Sequence, residues 1–167
     1  MSMERPLLCS LICIAGLALP HSAWAEPDRL AALLIRFSQY TEFSNRAEPI
    51  QLCVLNDTRI ISSLNRLLPD FDQFAPAALS LSLPAEVHHC HVVWSAFPHW
   101  PPDEWLQVLT NQPLLWISDH PDLFRRGVMV SVQYTPHFMR FRVNQSQAKS
   151  KNIRFHSRLL QLAHEII

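Results

Sequence analysis

Three consecutive residues, Ser118, Asp119 and His120, carry the functional groups of a hydrolytic triad directly after an apolar run. Consecutive side chains diverge along the backbone, so a triad would need a residue from elsewhere in the chain. The candidates for that role are Ser131, His137 and His156. No G-x-S-x-G nucleophile elbow occurs, and Gly127 is the only glycine after residue 16, which argues against glycine-rich phosphate loops. The sequence therefore predicts no enzyme, and it predicts that Asp119 caps the turn that follows it.

A second group with ligand chemistry is His88-His89-Cys90-His91, since zinc and copper bind imidazole and thiolate groups. On a strand, His89 and His91 would share one face while Cys90 pointed to the other. A disulfide at Cys90 would also remove the thiolate. The sequence therefore predicts no metal site and no cofactor, and solvated histidines are the simpler interpretation.

Tryptophans are concentrated in the middle of the chain, at positions 94, 100, 105 and 116. Core packing explains Trp94 and Trp116, which lie in apolar runs. Trp100 and Trp105 lie among prolines and would instead form a partly exposed patch of the kind found in protein interfaces. Nucleic-acid binding would need basic residues interleaved with exposed aromatics, so we predict no nucleic-acid partner.

The first 25 residues have the pattern of a secretory signal peptide, with an apolar segment at residues 7–19 and the cleavage motif Ala23-Trp24-Ala25. We therefore expect residues 26–167 to form a single periplasmic domain that does not span the membrane. Cys53 and Cys90 are the cysteines that remain. An even pair in an exported chain is most simply a disulfide, with two buried free thiols as the alternative.

Charge is balanced over the whole chain but is unevenly distributed. Residues 125–158 contain eight arginines and lysines and no acidic residue. Such a segment is most often a solvated face, and the sharper interpretation is a docking surface for an acidic partner or for anionic lipid headgroups.

Hydrophobic periodicity predicts the elements that position these residues. Helices are expected at residues 26–43, 58–68 and 103–109, and a last helix carries Phe155, Leu159, Leu162 and Ile166 on one stripe. Strands are expected at residues 50–55, 79–83, 90–95, 114–117, 128–134 and 137–143. Asp57 or Thr58 would cap the second helix.

This order predicts an α/β fold or a related α+β sandwich. The specific expectation is a three-layer sandwich, with a mixed, mostly parallel sheet, an antiparallel C-terminal hairpin and helices on both faces. Gly127 would let the chain enter the strand of residues 128–134 with a backbone geometry that other residues resist.

Several segments occur in the order seen in the YfiR family, and this sequence resembles that family over residues 29–164. The matching segments are Leu52-Cys53-Val54-Leu55, Cys90-His91-Val92-Val93, Ile117-Ser118-Asp119, Gly127-Val128-Met129-Val130 and Met139-Arg140-Phe141-Arg142-Val143-Asn144. The chain departs from the family pattern at Asn56-Asp57 and at Arg126, where relatives carry glycine.

The resemblance implies a small periplasmic protein that inhibits an inner-membrane diguanylate cyclase by binding its periplasmic domain, which lowers cyclic di-GMP and biofilm formation. It also implies that Cys53 and Cys90 form a disulfide. We expect a partner-binding surface on the hairpin and last helix, formed by Arg140, Phe141, Arg142, Arg154 and Arg158. Homodimerisation stays open. The alternative function is a periplasmic small-ligand or metal-binding accessory protein of a receptor or transport system, with its site near Ser118, Asp119 and His120.

Overall fold

The computed structural model describes residues 26–44, 49–135 and 138–167. The predicted signal peptide and His137 lie outside the described residues. The helices are α1 (Glu26–Gln39), α2 (Thr58–Leu67), α3 (Asp103–Asn111), α4 (Gln145–Ser150) and α5 (Ser157–Leu162). The strands are β1 (Thr41–Phe43), β2 (Leu52–Leu55), β3 (Leu79–Ser80), β4 (Val92–Ser95), β5 (Leu115–Ser118), β6 (Val130–Tyr134), β7 (Met139–Val143), β8 (Ile153–Phe155) and β9 (Glu165–Ile166). Short 3₁₀ helices occupy Leu68–Asp70, Pro84–His89 and Pro121–Arg125.

A seven-stranded sheet in the order β3-β2-β4-β5-β6-β7-β9 forms the middle layer. The strands from β3 to β6 are parallel, β6 and β7 are antiparallel, and β9 adds to β7 in parallel. This arrangement confirms the mostly parallel sheet with an antiparallel hairpin. It also brings the carboxyl ends of β2, β4, β5 and β6 to one edge of the sheet.

Both faces of the sheet are covered, and successive side chains of its strands point alternately into two separate cores. On β2, Leu52 and Val54 pack with α1 and α2 in the first core, whereas Cys53 and Leu55 belong to the second core with α3. On β4, Val92 and Trp94 likewise lie in the first core and Val93 lies in the second. The predicted three-layer sandwich with helices on both faces is confirmed.

The first helix is shorter than its hydrophobic pattern predicts, because its last residues join a second sheet. Helix α1 ends at Gln39, and β1 pairs with β8 in an antiparallel two-stranded sheet. The Thr41 hydroxyl still donates to the Phe37 carbonyl at 2.7 Å, as a helical side chain would. Pairing with a distant strand therefore overrides the local helical preference.

The single C-terminal helix predicted from residue 155 onward is wrong. Between residues 145 and 166 the chain instead forms α4, β8, α5 and β9, with a left-handed turn at Asn152 (φ 57°) before β8. Phe155 and Leu159 are buried as predicted, but Leu162 is 72% exposed. The two buried residues of the predicted stripe belong to different elements, Phe155 to β8 and Leu159 to α5.

The predicted strand at residues 79–83 is confirmed only at its start. Strand β3 contains two residues, and Leu81 is buried while Leu79 and Leu83 are exposed. A 3₁₀ helix begins at Pro84, whose ring fixes φ and removes a backbone donor from the sheet.

Candidate functional site

The carboxyl edge of the parallel strands collects polar side chains, as parallel sheets commonly do at ligand sites. Asp57, just after β2, accepts a hydrogen bond from Trp94 Nε1 at 3.3 Å and pairs with Arg59 Nε at 3.3 Å. Asp57 has no side-chain hydrogen bond to the backbone of α2, so the predicted helix cap is wrong at this residue. Its buried carboxylate instead ties the end of β2 to the neighbouring strand β4.

The Ser118-Asp119-His120 corner is organised by its serine. Ser118 Oγ donates to the Ser95 carbonyl at 2.9 Å and accepts from the His120 backbone N–H at 3.2 Å. The 3₁₀ helix that follows has His120 at its N-cap, without a side-chain cap hydrogen bond, and the serine hydroxyl supports the turn. The capping role of Asp119 stays a prediction. A hydroxyl held between two backbone groups is poorly placed to act as a nucleophile.

Of the residues proposed to complete a triad, Ser131 is the register partner of Ser118 on the neighbouring strand, and His156 lies in another layer. Ser131 Oγ lies 3.4 Å from Arg142 Nη2, and His156 accepts from the Arg158 backbone N–H in the layer that contains α5. The structure does not bring either of them together with Ser118 as a nucleophile–base pair.

A cleft of about 450 Å³ opens beside Asp119 and is lined by Asp119, Pro121, Val132, Gln133 and Tyr134. Burial is the main cause that raises the pKa of Asp119; its own backbone N–H lowers it by less, and the Asp57 charge raises it further. Burial also raises the pKa of Tyr134, and the charges of Asp119 and Asp57 add to that effect. The cleft thus contains a carboxyl group and a phenol whose pKa values are both raised, mainly by burial.

The histidine cluster does not form a metal site. His88 and His89 lie in a 3₁₀ helix with their rings 4.0 Å apart, and His91 Nδ1 accepts from the Gln51 backbone N–H at 3.1 Å. Cys90 is joined to Cys53, as the family resemblance implies, with the two Cα atoms 5.9 Å apart. Within the described ranges, no three His, Cys, Asp or Glu side chains are grouped so that they could hold a metal ion.

Gly127 has a φ of 119°, a backbone conformation that L side chains rarely adopt. A Cβ atom there would lie 3.1 Å from Thr110 Oγ1 and 3.4 Å from Trp116 Cζ3. The glycine therefore permits both the turn before β6 and the close approach of α3, in line with the sequence expectation.

Two residues of the predicted partner surface are engaged inside the molecule. Phe141 is only 9% exposed and its ring lies 4.8 Å from that of Phe37, so its assignment to an exposed surface is wrong. Arg142 lies 4.3 Å above the Phe124 ring, donates to the Pro121 carbonyl at 3.3 Å and pairs with Glu165 at 3.7 Å. Period-two alternation on β7 explains both results, because Phe141 faces the first core and Arg142 the opposite face.

The other three arginines are exposed but do not form one surface. Arg140 lies 5.0 Å over the Phe138 ring, on the same face of β7 as Arg142. Arg154 and Arg158 belong to β8 and α5, which pack on the first core at the opposite face. Arg154 lines a separate groove of about 430 Å³ together with Lys149, Gln145 and Asn152.

Trp100 is the exposed member of the predicted tryptophan patch. It is 47% exposed, whereas Trp105 is only 8% exposed and belongs to the second core. The Arg126 guanidinium lies 5.8 Å above the Trp100 ring, and the His120 ring meets it edge-on at 6.0 Å. No sequence pattern connects Trp100 with Arg126 or Tyr134 with Asp119; the available signal is that Trp100 and Asp119 both follow buried strands.

No helix within residues 26–44, 49–135 and 138–167 is long and apolar enough to cross a membrane.

Comparison with known proteins gives a family but little else. The family model described as YfiR/HmsC-like matches residues 28–164. A search of curated proteins found no significant match. A crystal structure of a conserved domain protein from Vibrio cholerae O1 biovar El Tor is similar, with a TM-score of 0.54 and 9% sequence identity. That alignment covers 85% of this chain and 60% of the Vibrio chain, so it shows a shared fold only.

The family match spans nearly all of the described residues, and the disulfide agrees with the pairing that the resemblance implies. The chain therefore belongs to the YfiR/HmsC-like family, which is known for periplasmic regulation of cyclic di-GMP signalling and is regulatory rather than catalytic.

Proposed function

We propose that this chain is a periplasmic regulatory protein that binds the periplasmic part of an inner-membrane diguanylate cyclase and inhibits it. In this role the chain is exported, its first 25 residues are cleaved as a signal peptide, and residues 26–167 act as one domain. Lower cyclase activity would lower cyclic di-GMP and biofilm formation.

The observation that carries the proposal is the YfiR/HmsC-like match over residues 28–164. The geometry of the corner at Ser118 supports it, because the serine hydroxyl is held by two backbone hydrogen bonds. Exposed arginines supply charge on more than one side of the domain, which suits docking onto an acidic protein surface.

Deleting the gene in the native host tests the proposal. We expect cellular cyclic di-GMP and surface adhesion to rise, and a plasmid copy directed to the periplasm to restore both. An otherwise identical copy without residues 1–25 stays in the cytoplasm and serves as the control. Unchanged cyclic di-GMP after deletion would contradict the proposal.

A second candidate function, small-ligand binding, is favoured by the cleft beside Asp119 and Tyr134. A carboxyl group and a phenol at the carboxyl edge of a parallel sheet could orient a polar metabolite. A thermal-shift screen of periplasmic metabolites tests this candidate, with Asp119→Asn and Tyr134→Phe as variants that keep the shape of the cleft. The candidate fails if no compound raises the melting temperature of the unmodified protein.

A further inference from the structure

Two exposed aromatic side chains each have an arginine stacked on the ring. Trp100 is 47% exposed and lies beneath Arg126, and Phe138 is 44% exposed and lies beneath Arg140. Large aromatics are normally buried, and burying them on binding stabilises a complex strongly. Tryptophan and arginine are also the residues that most often dominate the energy of protein interfaces.

The two pairs flank the same structural element. Trp100 contacts His120 and Arg126, which lie directly before and after the 3₁₀ helix Pro121–Arg125. Arg142 of β7 binds the Pro121 carbonyl of the same helix and covers the Phe124 ring. Arg140 lies two residues before Arg142 on β7, so its side chain projects from the same face of the sheet.

The cleft beside Asp119 borders the same 3₁₀ helix and the same hairpin as the two pairs. Its lining includes Pro121, at the start of the 3₁₀ helix, and Gln133, which is the register partner of Arg140 on the hairpin. The surface therefore combines two aromatic anchors with a concave region at the same 3₁₀ helix and hairpin. We call the surface formed by Trp100, His120, Arg126, Phe138 and Arg140 the arginine–aromatic face.

Contacts inside the domain hold this face in shape before any partner binds. Arg142 joins the hairpin to the 3₁₀ helix and reaches Glu165 at 3.7 Å. Pro98, Pro101 and Pro102 restrict the loop that carries Trp100. A rigid anchor loses little conformational entropy on binding, which favours affinity.

Charge identifies the partner. Three exposed arginines, Arg125, Arg126 and Arg140, lie on or beside the face, and Asp122 is the exposed acidic residue of the 3₁₀ helix. Guanidinium groups bind carboxylates in bidentate geometry, and aromatic rings beside them bury apolar side chains. A concave region beside the anchors suits the protruding side chains of a protein partner.

We propose that the arginine–aromatic face docks an acidic protein surface in which carboxylates alternate with apolar side chains, and that this surface belongs to the periplasmic part of the regulated membrane protein. The inference rests on the proposed function and adds the face through which the regulator acts. It excludes the Arg154 and Arg158 side of the domain as the main contact.

Complementation of the deletion strain tests the proposal. The variants are Arg126→Ala/Arg140→Ala and Trp100→Ala/Phe138→Ala. The charge-matched control is Arg29→Ala/Arg36→Ala, which removes two exposed arginines from α1 in the opposite layer. Immunoblots and thermal unfolding confirm that each variant is present and folded. We expect both face variants to lose repression of cyclic di-GMP, in keeping with a weakening of about 10-fold or more for interface anchors, and the control to repress fully.

Photo-crosslinking identifies the occupant directly. A benzophenone amino acid at position 138 should crosslink to an inner-membrane protein with a cyclase domain, whereas the same group at Leu83, which is 61% exposed on another part of the surface, should not. A crosslink from position 138 to a second copy of the chain would overturn the proposal. Sedimentation of the purified protein with anionic vesicles, lost in Arg126→Ala/Arg140→Ala, would overturn it in favour of lipid.

The outcomes separate this inference from the function on which it rests. If deletion leaves cyclic di-GMP unchanged, the proposed function itself fails. If deletion raises cyclic di-GMP and both face variants restore repression, only the choice of face is wrong. Loss of repression in Arg154→Ala/Arg158→Ala alone would move the contact to the α5 side.

Discussion

Individual residues in this domain owe their roles to the groups they touch rather than to their residue types. Asp57 and Asp119 both follow buried strands at the same edge of the sheet. Asp57 is paired with Trp94 Nε1 and Arg59, whereas Asp119 is half-buried and has no ion pair among the described residues. Two chemically identical carboxyl groups are therefore predicted to behave differently.

Replacing Asp119 by Asn should stabilise the domain at neutral pH. Because burial raises the pKa of Asp119, the folded state binds the proton more tightly than the unfolded state does. The unfolding free energy of the unmodified protein should therefore rise as pH falls through the native pKa of Asp119, and this contribution should be complete below the unfolded pKa. Urea unfolding of both proteins at several pH values checks the prediction. A gain from Asp119→Asn that grew larger on acidification would contradict it.

Gly127→Ala should destabilise the domain by about 1–3 kcal/mol, the usual cost of a side chain forced into a disfavoured backbone region. The φ of 119° and the contact with Thr110 Oγ1 both oppose a Cβ atom. Urea unfolding measures the effect, and Arg125→Ala, an exposed neighbour, is the control with a change near zero. Equal stability of Gly127→Ala and the unmodified protein would show that the turn relaxes freely.

At the scale of elements, strand β7 shows how period two divides adjacent residues between core and surface. Met139–Val143 alternates so that Phe141 and Val143 enter the first core while Arg140 and Arg142 face the other side. An apolar–basic alternation of this kind was visible in the sequence. The apolar member of this pattern, Phe141, belongs to the first core and not to a docking surface.

Phe141→Ala and Arg140→Ala should separate these two roles on one strand. Phe141→Ala removes a buried ring in contact with Phe37 and should cost about 3–5 kcal/mol of stability. Arg140→Ala removes an exposed side chain and should change stability by less than about 0.5 kcal/mol. Thermal unfolding compares the two variants. Similar losses would mean that the hairpin does not alternate as described.

At the scale of the whole molecule, one covalent bond and two cores connect distant parts of the chain. The disulfide joins β2 to the segment just before β4. Strands β2 and β4 are neighbours in the sheet, and both cysteines lie on the face of the second core. Both cysteines are buried. The bond also closes a loop in the unfolded chain and so lowers the conformational entropy of the unfolded state.

Removing the disulfide should lower the unfolding free energy by about 3–4 kcal/mol, in the loop-entropy account for a loop of this length. The double variant Cys53→Ala/Cys90→Ala is compared with the unmodified protein, each with and without reductant. Reductant should destabilise the unmodified protein and leave the double variant unchanged. Equal sensitivity of the two proteins would indicate that reductant acts elsewhere.

The sequence by itself determined the features that depend on local pattern. Unbroken apolar runs predicted strands β4 and β5, which are covered on both faces, alternation predicted β7, and a lone glycine predicted the special backbone at Gly127. The side-chain pattern of a strand and the φ of a glycine are properties of a few consecutive residues. A short stretch of sequence is therefore enough to predict them.

Only the tertiary structure decided which residues meet across the chain. The pairing of Thr41 with Phe155 ends α1 and divides the expected C-terminal helix, because a strand partner that is distant in sequence competes with local helical hydrogen bonds. The same is true of Trp100 with Arg126 and of Arg142 with Phe124. The contacts of these residues depend on where the 3₁₀ helix lies relative to the hairpin. A periodic pattern of side chains does not predict that arrangement.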